Sequence, residues 1–460
     1  LDFTSAAFLA FLGSVALLYA LIPRAGRAPL LLIASYAFYA LYAGYYALLL
    51  IGSTLLAFFA ARARSAALGA VALLIAVLAL FKTLPLLGVR ALIPLGISYY
   101  TFKLAAYLID CHWGALEPER RLIPFLAYTA FFPQIVGGPI QRAPDFLPQL
   151  SQGSRVPPEL ALKATFRICL GFFKKFAVAD NLAPIVNYVY SHLSVHPGAP
   201  VLLGFYGYPL QMYADFSGLT DIALGAGALL GIVGPENFNA PFAAASPSEY
   251  WRRWHMSLTT WMVDYVFTPL RMSLRRFGNG GLIASLFINM ILIGLWHGFY
   301  LTFALFGVVH ASYMSVDALT QKTRKRLYKR YAALDRLTDV LGPLVTFHLI
   351  AVAFVFFRAD SVATVESFFA HLTAGLEPLG PAFHYVIDQP GSSFGVLAAA
   401  ILLMEAGDWV RRRFWSVPLP ALPRWGRWSL AAGAGLSMLT TLALLMTSSS
   451  ESNPFLYAIF

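Results

Sequence analysis

Two histidines stand where an imidazole could do proton chemistry. His297 lies in GGLIASLFINMILIGLWHGFYLTFALFGVVHASYM (Gly280–Met314), between Trp296 and Gly298, with Gly294 one helical turn earlier; no Asp, Glu, Lys or Arg occurs between Arg276 and Asp317. An imidazole titrates near neutrality, and an ionisable side chain deep in so apolar a run is costly unless it faces a cavity, where it marks catalysis or transport. The bland alternative is a histidine that bonds a backbone carbonyl of a neighbouring helix. His255 lies in EYWRRWHMSLTTW (Glu249–Trp261). Ser246, Pro247 and Glu249 form a helix start, with N-cap serine, N1 proline and capping-box glutamate. Trp254, Leu258, Trp261 and Tyr265 then follow at helical spacing, which predicts one continuous amphipathic helix in the interface. On that helix Arg252, Arg253 and His255 occupy the polar face, so His255 by itself reads as a surface histidine. Asp215 and Asp221, in YADFSGLTDIALG, are not spaced three or four apart and share no helical face. Ion pairing or a helix-end role suits them better than a paired-carboxylate mechanism.

The elements that must hold these residues are membrane helices. The chain has 460 residues, 59% of them hydrophobic and only 12% charged, with a mean hydropathy of +0.67; a soluble protein carries about 25% charged residues. Runs that each suffice for a span of about 20 residues predict an all-α polytopic protein with about eleven transmembrane helices in one domain, residues 1–460. Ser5–Ile22 reads as a retained first helix, since Asp2 precedes it and Arg24 and Arg27 follow. Later spans are expected in 28–61, 66–81, 92–109, 202–233, 280–314, 341–357, 393–404 and 429–446, with a further span or interfacial helix at 160–179 and a polar stretch around 377–389. The net charge of +11 resides in clusters between apolar runs: Arg62/Arg64, Arg120/Arg121, Lys174/Lys175, Lys322–Arg330 and Arg411–Arg413. That pattern suits cytoplasmic loops, and contact with anionic lipid, rather than nucleic acid. Cys111 and Cys169 have neither disulfide nor zinc spacing and read as packing residues. FFPQIVGGPIQR (Phe131–Arg142) places two prolines and two adjacent glycines in an apolar segment. Broken backbone is tolerated at membrane depth only where protein or a water-lined cavity satisfies it, so the segment around Pro139 is either a tunnel wall or a kinked helix and loop. There is no phosphate loop, no HExxH and no GxSxG.

Taken together, YADFSGLTDIALGAGALLGI with PENFNAPF (Tyr213–Phe242), EYWRRWHMSLTTW and GLWHG (Gly294–Gly298), flanked by FFPQIVGGPIQR and PFLYAIF (Pro454–Phe460), resemble the membrane-bound O-acyltransferase family. The similarity is to its bacterial branch, which includes alginate O-acetyltransferases and teichoic-acid D-alanyl transferases. The resemblance places the family's catalytic histidine at His297 and its other motif histidine at His255. It implies a helical body around a central funnel, with a tunnel joining the two membrane faces; Trp296, Trp254, Pro139 and Asp215 are its candidate wall. The chain departs from alginate-type members at TPLRMSLRRFGNGG (Thr268–Gly281) and at Val263 before Asp264, so the resemblance extends to the reaction and not to a particular polymer.

What the resemblance implies is acyl transfer, most simply of acetyl, from a cytoplasmic acyl-coenzyme A or acyl carrier protein thioester. The acceptor is a hydroxyl of an exported polysaccharide or a periplasmic relay partner, and the membrane is the bacterial inner membrane. His297 would act as general base, while Trp296 and His255 are side chains able to serve the oxyanion. No bound cofactor and no metal is expected. D-alanyl transfer is the alternative chemistry. A proton-coupled transporter or flippase is the alternative class, which would call for matching broken helices in two halves; no internal repeat is visible.

Overall fold

The computed structural model describes residues 3–89, 93–194, 198–373 and 394–415, together with Val417, Arg424, Gly426, Gly433 and Phe455. The described residues form helices joined by short turns, with no strand among them. Among the described residues, four helical segments are long and apolar enough to cross a membrane: Arg64–Leu87, Arg275–His297, Leu301–Arg330 and Ala332–Arg358. Ala6–Leu21, Tyr46–Ala60 and Val362–Leu372 are shorter apolar helices. The expected span at 429–446 apart from Gly433, the polar stretch at 377–389 and the C-terminal motif apart from Phe455 lie outside the described residues.

The chain divides into two compact units, interleaved in sequence. The first comprises Leu1–Lys175, Phe216–Glu236 and Met404–Phe460. Its helices Ala6–Leu21, Arg24–Ala43, Tyr46–Ala60, Arg64–Thr83 and Ile97–Trp113 match the early apolar runs. Their inner faces are aromatic: Phe3 stacks on Phe8 at 4.3 Å, and Phe38 meets Phe132 at 5.6 Å. Residues 131–141 are buried and irregular beyond the short helix Phe132–Ile135. A network of buried side chains ties this segment to its surroundings. Lys103 Nζ donates to the Tyr128 carbonyl and to Gln134 Oε1, both at 3.2 Å, and Gln134 Nε2 donates to Gln141 Oε1 at 2.7 Å. Gln141 Nε2 then reaches the Val233 carbonyl at 3.1 Å.

The same unit corrects one expectation about charge. Lys174, Lys175 and Arg411, read from the sequence as loop cations, are buried to 0%, 2% and 3% exposure. Lys174 joins Asp221 and Asp408 at 2.6 and 2.7 Å, Arg167 joins Asp221 and Glu236 at 2.8 and 2.6 Å, and Arg411 joins Glu236 and Asp408 at 2.7 and 3.2 Å. Three cations balance three anions, as buried ions require. Asp221 is thus an ion-pairing residue, in line with the sequence reading. Partial burial raises the Glu236 carboxyl, but Arg167 and Arg411 outweigh it and hold the group at about 2. Cys111 and Cys169 are buried thiols outside any disulfide.

The second unit comprises Phe176–Asp215 and Asn237–Leu403. At its centre is an antiparallel hairpin of helices Gly278–His297 and Leu301–Arg330, followed by Ala332–Arg358. The predicted continuous helix from Ser246 does not form. Ser246 does cap Pro247–Trp251, accepting from the Glu249 N–H at 3.3 Å, but the helix stops there. A turn follows, then helix Met256–Met262, a π-helical turn at Val263–Phe267 and helix Thr268–Ser273. The break comes at His255, whose φ of 43° and ψ of 50° are left-handed. Trp254, Leu258 and Trp261 are 6% exposed or less. The aromatic stripe is therefore core and not a headgroup anchor.

Candidate active site

The hairpin that carries His297 closes through two glycines. A Cβ on Gly294 would lie 2.0 Å from the Phe303 carbonyl oxygen, and one on Gly307 would lie 2.5 Å from that of Met290. Only glycine permits this approach. The pairs 294/303 and 290/307 share one antiparallel register, which sets the turn at Gly298–Tyr300. His297 is therefore the last residue of its helix, not a residue at mid-span, although it is midway along the uncharged run. It remains 8% exposed. Its ring meets Trp296 at 4.7 Å, Phe357 at 4.8 Å and Phe303 at 6.1 Å between centroids. At the carbonyl end of a helix, a transient imidazolium gains about 0.3–1 kcal/mol from the aligned peptide dipoles.

His255 reaches the same cluster from a different element. Residues 237–240 clasp the 253–257 turn: Met256 N–H donates to the Asn237 carbonyl at 2.9 Å and Asn239 N–H to the Arg253 carbonyl at 2.9 Å. The Asn237 side chain is fully buried. Its Oδ1 accepts from the Ser257 N–H at 3.1 Å and the Ser257 hydroxyl at 2.8 Å, and lies 3.1 Å from His255 Nδ1. These contacts hold a non-glycine residue in a left-handed conformation that costs about 1–3 kcal/mol. The His255 ring is 1% exposed, so the expected surface histidine is instead a core one. Burial pushes its imidazole down to about 3, leaving it neutral at physiological pH. Its ring faces Trp296 at 5.9 Å.

The sequence candidates converge in part. His255, Trp296 and His297 form one file of rings. From His297 it continues through Phe357 to Phe354 at 5.9 Å and from there to Trp254 at 5.7 Å. Trp254 also packs on Tyr250 and Phe238 at 5.5 and 5.0 Å. Asp215 is 2% exposed and lies well inside helix Ala199–Leu229, so a helix-end role does not apply to it. Pro139 belongs to the first unit, within the Gln134–Gln141 network. Two residues were not singled out in the sequence. Asn237 lies inside PENFNAPF, where its side-chain role depends on a fold-made contact 18 residues away. His310 is fully buried in the second hairpin helix, accepts at Nδ1 from Trp251 Nε1–H at 3.2 Å, and packs on Phe306 at 4.5 Å.

His297 on the hairpin and His255 on a separate turn thus meet in one buried cluster of a helical membrane protein, and the comparisons with known proteins specify its class. The membrane-bound O-acyltransferase family matches residues 120–352, half of the chain and both histidine motifs; the chain belongs to that family. It is 32% identical over 350 residues to the probable alginate O-acetylase AlgI of Pseudomonas aeruginosa, covering 74% of this chain and 62% of that protein. It is 33% identical over 273 residues to the teichoic acid D-alanyltransferase of Bacillus subtilis, covering 57% and 68%. With the peptidoglycan O-acetyltransferase of Helicobacter pylori the identity is 29% over 316 residues, covering 61% and 56%. The chain thus spans less than two thirds of the length of the alginate and peptidoglycan relatives.

Proposed function

We propose that this protein is an integral membrane O-acyltransferase of the bacterial inner membrane. It moves an acyl group, in the simplest reading acetyl, from a cytoplasmic thioester to a hydroxyl on an exported polysaccharide or a periplasmic relay partner. The observation that carries the reading is the meeting of His297 and His255, from two sequence motifs, on either side of Trp296 in one buried cluster. As the acceptor oxygen attacks the thioester carbonyl, His297 takes its proton. The C–O bond forms, the C–S bond breaks, and the departing thiolate recovers the proton from the imidazolium, so no acyl group rests on the protein. The donor is acyl-coenzyme A or an acyl carrier protein, both acidic enough to meet the basic segments. A tunnel lined by Trp296 and Trp254, with Asp215 on its wall, gives access in this reading. D-alanyl transfer to an envelope polymer is the second reading, favoured by the larger share of the teichoic acid relative that the chain covers.

The test is purified protein in oriented proteoliposomes, with radiolabelled acetyl donor on one side and alginate or peptidoglycan fragments on the other. His297→Ala should insert normally and transfer nothing, and His255→Ala should transfer at a reduced rate. Wild-type transfer by His297→Ala would refute the assignment of the base. Equal loss in both variants, each normally folded, would refute the division of roles. Label reaching the acceptor only when donor and acceptor share a compartment would refute transfer across the membrane.

A further inference from the structure

The contacts around Asn237 fix more than the position of His255. The Ser257 backbone N–H can only donate, so the Asn237 amide atom 3.1 Å from it is the oxygen, Oδ1. That oxygen also lies 3.1 Å from His255 Nδ1, and an amide oxygen can only accept. The hydrogen between them therefore belongs to Nδ1. In a neutral imidazole the two nitrogens take opposite roles, so a proton on Nδ1 leaves the lone pair on Nε2. The Met256 N–H bond to the Asn237 carbonyl fixes the backbone of the same asparagine, which ties ring orientation and tautomer to one residue.

We infer that Asn237 is a positioning residue that holds His255 as the Nδ1–H tautomer, so that Nε2 accepts a hydrogen bond from the acceptor hydroxyl instead of donating one to the oxyanion. The inference rests on the acyl-transfer reading for its substrate but not for its geometry. It also divides the work at the site. Trp296, whose indole can only donate, is left as the side chain of the pair suited to the oxyanion, and His255 orients the attacking oxygen for His297. Asparagine suits the task because it accepts without adding a charge. A carboxylate in its place would make the same bond and also favour the imidazolium.

The experiment is 15N NMR of histidine-labelled full-length protein in lipid bilayers, with the His255 signals assigned by difference from His255→Gln. The expected wild-type spectrum has a protonated-type Nδ1 and an unprotonated-type Nε2 for His255. In Asn237→Ala the two nitrogens should exchange roles or average, and in Asn237→Asp the Nδ1–H pattern should return. Transfer in Asn237→Ala should fall by the order of 10–100-fold, as when other working imidazoles lose their orienting partner, with partial rescue by Asp. An Nε2–H form in the wild-type protein overturns the inference whether or not Asn237→Ala folds, and so does an unchanged tautomer in a folded Asn237→Ala. Because the spectrum needs no substrate, a correct tautomer in a protein inactive as an acyltransferase would count against the proposed function and not against the role of Asn237.

Discussion

Replacing Lys174 by methionine should be among the most damaging single changes in the first unit. Its Nζ lies 2.6 Å from Asp221 and 2.7 Å from Asp408, and the three side chains are 0%, 3% and 0% exposed. Methionine keeps most of the stem but removes one of three cations facing three anions. Arg167 remains 2.8 Å from Asp221, and Arg411 lies 3.2 Å from Asp408, but both also serve Glu236, and the net charge becomes negative. Breaking a buried pair from one side costs about 3–5 kcal/mol. Arg167→Met should cost less, because Glu236 is 34% exposed and water can take over part of its pairing. The assay is thermal unfolding in one detergent for Lys174→Met, Asp408→Asn and the double variant. The double variant restores neutrality, so its cost should fall clearly below the sum of the singles. Additive losses, or a Lys174→Met loss under about 1 kcal/mol, would show that the cluster is not an electrostatic unit.

Two further outcomes follow from geometry and charge. Gly294→Ala places a Cβ 2.0 Å from the Phe303 carbonyl oxygen, so the hairpin must part; a loss of at least about 1–3 kcal/mol is expected in the same unfolding assay. Gly280→Ala, in the same helix with nothing within 4 Å of a new Cβ, should gain up to about 1 kcal/mol from helix propensity, and equal effects at both sites would contradict the packing argument. For pH, the folded Glu236 pKa of about 2 lies below its ordinary 4.5. The unfolded chain therefore binds the proton first, so this stabilisation is complete above about 4.5 and lost as pH falls towards 2. The stability difference between wild type and Glu236→Gln should be flat from neutral pH to about 5 and shrink below it. A difference that grows on acidification would reverse the assigned sign.

The apolar periods made the helices legible, and the two motif histidines were legible by type and neighbourhood. What failed is informative. The stripe Trp254, Leu258, Trp261 and Tyr265 obeys helical spacing, yet the chain breaks at His255 because Asn237 and Ser257 stabilise a left-handed residue there. A period count does not see a contact made from 18 residues away. Lys174 and Arg411 lie at the edges of apolar runs, as loop cations do, and only the fold brings Asp221, Asp408 and Glu236 to meet them. Clusters of like charge in a sequence therefore locate membrane boundaries only where their partners are absent from the interior, as at the exposed Arg275 and Arg276.

The hairpin geometry constrains the direction of the proposed reaction. Helix Gly278–His297 has 20 residues, about 30 Å at 1.5 Å per residue, with Arg275 and Arg276 just before its start and His297 at its end. Its antiparallel partner Leu301–Arg330 has 30 residues and runs back about 15 Å further, ending in Lys322, Arg324, Lys325, Arg326, Lys329 and Arg330. Both basic groups thus lie at the end of the hairpin away from the histidine. If that end faces the cytoplasm, as the excess of positive charge requires, His297 is nearer the opposite face. An acceptor then needs only a shallow approach to reach it, whereas a cytoplasmic donor must extend a thin arm along most of a helix length. A coenzyme or carrier thioester has such an arm, and a polymer hydroxyl does not. The same asymmetry bears on His255: in the tautomer inferred above, it suits the hydroxyl that arrives from the near side.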